Sequence, residues 1–175
     1  KYTTGWVVVS NTKNLVRYID PTGNGFAKNK SMRVNGILYY FDSNGYRITD
    51  LTSRYTGPYT LQVDRTNGVM TVYADSARTI PVKTIRVSVG LPSTPTPTGT
   101  YSLSRSLRWQ PLMGPSWGQY GTHVVNGIFV HSVACGQANS YNLPVGEYLR
   151  LGNPASHGCI RACVADAKLV WDNCN

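Results

Sequence analysis

Apolar and polar residues alternate with a period of two in several short runs, and that period is the signature of half-buried strands. Tyr59-Thr60-Leu61-Gln62-Val63-Asp64 is one such run. Asn67-Gly68, a strong two-residue turn signal, follows it, and Val69-Met70-Thr71-Val72-Tyr73 returns, which predicts a hairpin. Residues 85–89, 100–103 and 127–131 read as further strands. Residues 92–99 hold three prolines (Pro92, Pro95 and Pro97), so that stretch is an extended loop. The helical period emerges in one place, residues 163–173, where Val164, Ala167, Val170 and Trp171 share a face. The chain is therefore expected to be mainly β, with one helix shortly after Cys159. Composition agrees: 12 tyrosines and only 14% charged residues favour strands and turns over helices. No run of roughly 20 apolar residues occurs, so no membrane span is expected. The chain opens at Lys1 inside a pattern, without a secretory signal, and reads as a processed or trimmed chain.

The first fifty residues carry an internal repeat. Tyr18-Ile19-Asp20-Pro21-Thr22-Gly23 aligns with Tyr40-Phe41-Asp42-Ser43-Asn44-Gly45. Each copy is an aromatic, an apolar residue and an Asp, then a small polar pair and a Gly, which signals a strand running into a turn. Stacked units of this size cannot bury a face alone. The segment resembles the aromatic, glycine-rich cell-wall-binding repeats of the choline- and glucan-binding type, in two imperfect copies. That resemblance implies wall polysaccharide or teichoic acid as a partner; a plain hairpin spacer is the alternative. Residues 1–50 are read as this module and residues 51–58, rich in Thr, Ser, Gly and Pro, as a linker. Residues 59–175 then form the second domain.

The formal net charge of +9 draws polyanions: nucleic acid, anionic lipid or acidic wall polymer. The Lys and Arg residues are scattered, with Lys28-Asn29-Lys30 and Arg33 the nearest thing to a cluster, and no nucleic-acid motif is present. Nucleic acid is not an expected partner.

The candidate chemistry lies in Ser156-His157-Gly158-Cys159-Ile160-Arg161. A thiol near pKa 8.5 is only slightly ionised at neutral pH and needs a base or a positive site. His157, two residues before Cys159, and His131, at the end of a strand, are both candidates. Gly158 frees the backbone beside the nucleophile. The helix expected a few residues later would lend its N-terminal N–H groups and dipole to the thiolate and to an oxyanion. Arg161 supplies a fixed charge suited to a substrate carboxylate.

The run from Pro154 to Arg161 looks like the signature of L,D-transpeptidases with the YkuD-type catalytic domain. Phe129-Val130-His131-Ser132, Pro95-Thr96-Pro97-Thr98-Gly99 and Tyr120-Gly121-Thr122-His123 are similar to further family segments. The resemblance implies a YkuD-type β-sandwich and assigns roles. Cys159 would be the nucleophile and His131 the general base and acid, oriented by the Ser132 carbonyl. The N–H groups of Gly158 and Cys159 would form the oxyanion hole. Ser156, His157 and Arg161 would build the site, and Tyr120 would line the substrate cleft. The implied reaction attacks the amide before the terminal D-alanine of a peptidoglycan stem tetrapeptide, passes through a Cys159 thioester and forms a 3-3 crosslink. With water as acceptor the product is that of an L,D-carboxypeptidase. No metal or organic cofactor is implied. Carbapenems would acylate the thiol, and the setting would be the extracellular wall of a Gram-positive bacterium.

Some features depart from the family pattern. His131 and Cys159 are separated by an insertion, residues 134–151, expected to form a lid or loop over the cleft. Ala162 and Cys163 stand where an aliphatic residue and a helix-capping hydroxyl are more usual, and a closing strand would follow the helix. Cys163 and Cys174 would be about 16 Å apart along a helix, beyond the ~7 Å reach of a disulfide. A bridge from Cys135 to one of them is expected for an oxidising compartment. Two rival readings remain. One is a wall-binding protein with a weak or inactive catalytic domain. The other, a papain-like hydrolase, is disfavoured because its Cys precedes its His.

Overall fold

The computed structural model describes residues 3–22, 25–142 and 144–174. Gly23 of the first repeat and the terminal Asn175 lie outside the described residues.

The N-terminal segment forms two antiparallel hairpins, β1 (Gly5–Ser10) with β2 (Leu15–Ile19) and β3 (Lys30–Val34) with β4 (Ile37–Phe41). Asn35-Gly36 makes the second turn, both residues at positive φ (51° and 83°), the two-residue geometry that matches strand twist. The sequence repeat is also a structural one. Asp20 follows β2 and Asp42 follows β4. Each carboxylate accepts the N–H two residues on, Thr22 at 3.0 Å and Asn44 at 2.9 Å. The chain then doubles back to bridge Ile19 to Phe26 and Phe41 to Arg47. Tyr18, Ala27, Val34 and Phe41 form a small core of their own. Trp6 meets Tyr18 and Tyr39 edge-on, at centroid distances of 4.9 and 4.8 Å.

The stretch expected to be a linker is packed rather than free. Leu51 is buried and its N–H donates to the Val82 carbonyl at 2.8 Å. Tyr55 shares a 2.6 Å hydroxyl bond with Tyr40. Leu51 thus seats it on the following strands, and Tyr55 ties it back to β4.

That domain has two main sheets and a two-stranded ribbon. β5 (Thr60–Asp64), β6 (Val69–Tyr73) and β7 (Pro81–Arg86) form the first, all antiparallel. The expected hairpin is there, but its turn spans four residues rather than two. Asp64 pairs with Val69, and its carboxylate accepts the N–H groups of Thr66 and Asn67. β8 (Ser104–Arg105) replaces the strand expected at 100–103, since only those two residues find a partner. β9 (Trp109–Leu112) and β10 (Ser116–Gln119) form a ribbon. β11 (Thr122–Val125), β12 (Ile128–Ser132), the short helix α1 (Val145–Leu149), β13 (Ile160–Ala162) and helix α2 (Val164–Asn173) complete the chain. The second sheet runs β13-β12-β11-β8, and β12 and β13 are its parallel pair. The core between sheets and helix holds Met70, Val72, Ile85, Val87, Val130, Ile160, Ala162, Ala167 and Val170. This is the mainly β sandwich expected, with hairpins ahead of it.

Residues 87–89, expected to be part of a longer strand, leave β7 and join the two sheets. Val87 and Val89 point into the core while Ser88 exchanges backbone bonds with Arg161 at 2.9 and 2.8 Å. No described strand follows α2. The space beside Cys174, between the sheets, is an open cleft of about 630 Å³ lined by Leu61, Val63, Leu103, Val130 and Ile160 among others. No helix is long and apolar enough to cross a membrane.

The expected disulfide is absent, and all four cysteines are free thiols. Cys135 and Cys163 have other tasks. Cys135 donates to the Gln137 carbonyl at 3.0 Å. Cys163 is the N-cap of α2, its sulfur accepting the Asp166 N–H at 3.4 Å and its S–H donating to the Asp166 carboxylate at 2.9 Å. The capping hydroxyl that the sequence lacks is replaced by a thiol. Cys174 is buried at the other end of the helix.

Core position decides what a methionine is worth. Met70 is fully buried and Met113 is 77% exposed. Met70→Ala is expected to lower unfolding free energy by about 2–5 kcal/mol, and Met113→Ala by less than about 0.5 kcal/mol. Urea denaturation of both variants checks this.

Candidate active site

The parallel register of β12 and β13 builds the site. Val130 pairs with Ile160 and His131 with Arg161. Side chains alternate along a strand, so Val130, Ile160 and Ala162 enter the core. His131, Arg161 and, just ahead of β13, Cys159 take the opposite face. Residues 28 positions apart in the chain thus become neighbours without any long-range side-chain design.

His131 is buried, 1% exposed. Its Nδ1 lies 2.5 Å from the Ser132 carbonyl oxygen. A carbonyl only accepts, so Nδ1 carries the hydrogen and Nε2 keeps the free lone pair. Burial drives the imidazole pKa down to about 4, opposed by the Ser132 carbonyl and aided by the Arg161 charge. The ring is backed by a glycine. A Cβ on Gly118 of β10 would stand 2.4 Å from His131 Nδ1. Next to it, the Gln119 N–H donates to Ser132 Oγ at 2.8 Å, and Ser132 Oγ donates to the Val133 carbonyl.

Cys159 is half-buried. Its sulfur accepts the Phe129 N–H at 3.4 Å and lies 3.8 Å from the Gly127 carbonyl. Burial pushes the thiol pKa up, against the Phe129 N–H and the Arg161 charge. No described hydrogen bond joins the thiol to His131 or His157. The helix-dipole expectation fails: β13 stands between Cys159 and α2, and the N-cap is Cys163. A three-residue strand is too short to leave a period in the sequence.

The loop ahead of the nucleophile is held by hydroxyls. Ser156, buried, donates to the Cys159 carbonyl at 2.5 Å and accepts the Gly158 N–H at 3.2 Å. That bond engages one of the two N–H groups expected to face an oxyanion. Thr96 donates to the Gly158 carbonyl at 2.8 Å. Gly158 sits at φ +115°, a region that other residues avoid. His157 is exposed, and none of the described hydrogen bonds involves its ring. Arg161 bonds Glu147 of α1 at 2.7 Å and the Ala155 carbonyl at 3.1 Å, while its Nε is buried without a partner. The insertion therefore reaches the site through one ion pair. Tyr120 is not gathered with these groups. Its ring packs on Trp171 of α2 at 5.5 Å, with the Arg108 guanidinium 3.9 Å from its centre. The large cleft between the sheets includes neither Cys159 nor His131.

Three contributors escape the sequence reading. Gly118 had a signal, since a glycine inside a strand often marks close backbone approach. Thr96 lay within a quoted motif, but its reach to Gly158 depends on the fold. Glu147 gave no signal at all.

Burial of His131 has a pH consequence. Its folded pKa, about 4, is below the ordinary 6.5, so the unfolded chain binds the proton more readily. The stability from the neutral ring is complete above pH 6.5 and is lost as pH falls toward 4, to a total of about 3 kcal/mol. Nitrogen NMR should find a neutral, Nδ1-protonated ring down to about pH 5. A ring protonated at pH 6 contradicts the burial argument.

Comparison with solved structures finds the same fold. An L,D-transpeptidase from Mycobacterium tuberculosis H37Rv matches at 17% identity, over 97% of this chain and 71% of that one, with a TM-score of 0.52. An LD transpeptidase in complex with imipenem matches at 19% identity, over 97% and 73%, with a TM-score of 0.50. A fused Zn-dependent amidase/peptidase/peptidoglycan-binding domain-containing protein from Clostridium acetobutylicum ATCC 824 matches at 22% identity and a TM-score of 0.49. That match covers 71% of this chain, which spans about half (52%) of its length. No curated protein matches. The family model for the L,D-transpeptidase catalytic domain, YkuD, matches residues 58–175, and the chain belongs to that family.

Proposed function

We propose that this chain is a peptidoglycan L,D-transpeptidase that works through a thioester on Cys159. The observation that carries the reading is the shared strand face. Cys159 and His131 are two steps apart on neighbouring parallel strands, and the imidazole tautomer leaves Nε2 as a proton acceptor. Family membership supplies the substrate class.

Both groups rest neutral, because burial lowers the His131 pKa and raises that of Cys159. Proton transfer therefore accompanies attack rather than preceding it. Nε2 takes the thiol proton as sulfur adds to the carbonyl carbon between the third stem residue and the terminal D-alanine. The carbonyl oxygen becomes an oxyanion, held by the Cys159 N–H; the Gly158 N–H is engaged by Ser156. The C–N bond breaks, His131 returns the proton to the leaving amine, and D-alanine departs. The amine of a second stem peptide then adds to the thioester, giving its proton to His131. A 3-3 crosslink forms and the thiol is restored. Water in place of the amine gives L,D-carboxypeptidase activity. Ser156 and Gly158 hold the nucleophile loop, Ser132 orients the base, and Arg161 and the exposed His157 face the stem peptide.

Residues 1–50 act as a wall-binding module joined through residues 51–58 to the catalytic domain, residues 59–175. Arg17 lies 5.0 Å from Phe26 and 4.3 Å from Tyr46, and Arg47 lies 6.0 Å from Trp6. The aromatic faces already hold the chain's own cations, which favours teichoic acid or another anionic wall polymer over a choline ligand. An extracellular, wall-associated position in a Gram-positive bacterium follows from this reading.

One observation favours the rival reading of a weak or inactive catalytic domain: the thiol bonds to the Phe129 N–H instead of an imidazole. Intact mass after incubation with a carbapenem separates the two. The transpeptidase reading expects one adduct, absent in Cys159→Ala and slowed at least ~100-fold in His131→Ala, with a smaller loss in His157→Ala. Release of D-alanine from a tetrapeptide stem is the matching activity assay. Wall binding with neither adduct nor release would leave the rival.

A further inference from the structure

The nucleophile loop carries a conformational problem. Gly158 precedes Cys159 at φ +115°, and a glycine peptide can flip at little cost. The Gly158–Cys159 peptide holds the one N–H that the proposed mechanism aims at the oxyanion. Something must fix its orientation.

We infer that Thr96 is the positioning residue that aims the Cys159 N–H, by locking the Gly158–Cys159 peptide through its hydroxyl. This rests on the transpeptidase reading for its biological meaning, but not for its geometry. Thr96 Oγ1 donates to the Gly158 carbonyl at 2.8 Å and accepts the Gly90 N–H at 2.9 Å. In a trans peptide the C=O and N–H point in opposite directions. Tying the Gly158 carbonyl to buried Thr96 turns the Cys159 N–H away from the protein interior. The next peptide is fixed likewise, with the Cys159 carbonyl held by Ser156 Oγ. A hydroxyl thus holds the carbonyl on each side of the nucleophile.

Thr96 is itself held. The Arg65 guanidinium donates to its carbonyl at 2.5 Å. Gly90 lets the loop close, since a Cβ there would meet the Thr94 carbonyl oxygen at 2.1 Å and Thr96 N at 2.6 Å. Both hydrogen-bonding capacities of the Thr96 hydroxyl are used on backbone, and the residue is 5% exposed. A buried hydroxyl spent on the peptide beside a nucleophile is a different arrangement from one that merely fills space.

The test compares two reactions of Cys159 at one pH. Acylation by p-nitrophenyl acetate builds an oxyanion; alkylation by iodoacetamide does not. Both are read at Cys159 by peptide mass mapping, with Cys159→Ala as the blank. Thr96→Val keeps the shape and removes the hydroxyl. It should slow acylation about 10- to 100-fold, less than loss of a whole oxyanion donor, and leave alkylation near the parent rate. Thr96→Ser restores the hydroxyl and should return acylation to near the parent rate, which also guards against a folding defect in the valine variant. Unchanged acylation in Thr96→Val, or acylation and alkylation falling together, overturns the proposal. A carbapenem run in parallel on the parent protein separates the two readings. If it leaves no adduct while the ester still acylates Cys159, the transpeptidase reading fails and the role of Thr96 is still decided by the ester.

Discussion

The parallel pairing of β12 with β13 is the constraint on which the rest of the site depends. It is a backbone interaction, fixed by Val130 opposite Ile160 and His131 opposite Arg161. A slip of one residue would send every side chain to the other face. Cys159 would enter the core and Ile160 would take the face that carries His131. The apolar residues therefore do more than stabilise. Val130, Ile160 and Ala162 are all but fully buried, and their burial sets the register that exposes Cys159 beside His131.

That same burial determines the protonation of the pair. A thiolate–imidazolium pair would place two charges where water is largely excluded. Here desolvation is the largest influence on both groups and moves their pKa values apart, His131 down and Cys159 up. The nearest fixed charge, Arg161, favours the thiolate but disfavours the imidazolium. It is also tied to Glu147 of the insertion, so its field on the site depends on how that short helix sits.

Much of this was legible in the sequence, for identifiable reasons. The hairpin at 60–73 and the helix at 164–173 declare themselves by periods of two and 3.6, and Cys159 by the residues around it. The choice of His131 over His157 comes from family resemblance, since proximity in sequence favours His157; in the fold His157 is exposed and His131 is held by Ser132. What escaped were elements too short to show a period, β13 and α1, and contacts made by backbone. The helix-dipole idea failed on three residues of strand. The expected disulfide does not form; Cys135 bonds the Gln137 carbonyl, and Cys163 caps the helix terminus.

Polar atoms within this core follow a pattern. His131, Ser132 and Ser156 are buried and each bonds a backbone group within a few residues. Among the described residues six other buried atoms are left without partners: Arg17 Nε and Arg47 Nε in the N-terminal hairpins, Arg108 Nη1 ahead of β9, and Gln119 Oε1, Thr122 Oγ1 and Arg161 Nε on β10, β11 and β13. Unpaired buried polar atoms cost about 1–3 kcal/mol each, and a fold selected for stability alone would place apolar side chains there. The hydrophobic core fixes the register, and the Ser132 carbonyl and Gly118 hold the His131 ring. The backbone of β12 belongs to both, which is why the site cannot be separated from the sheet that holds it.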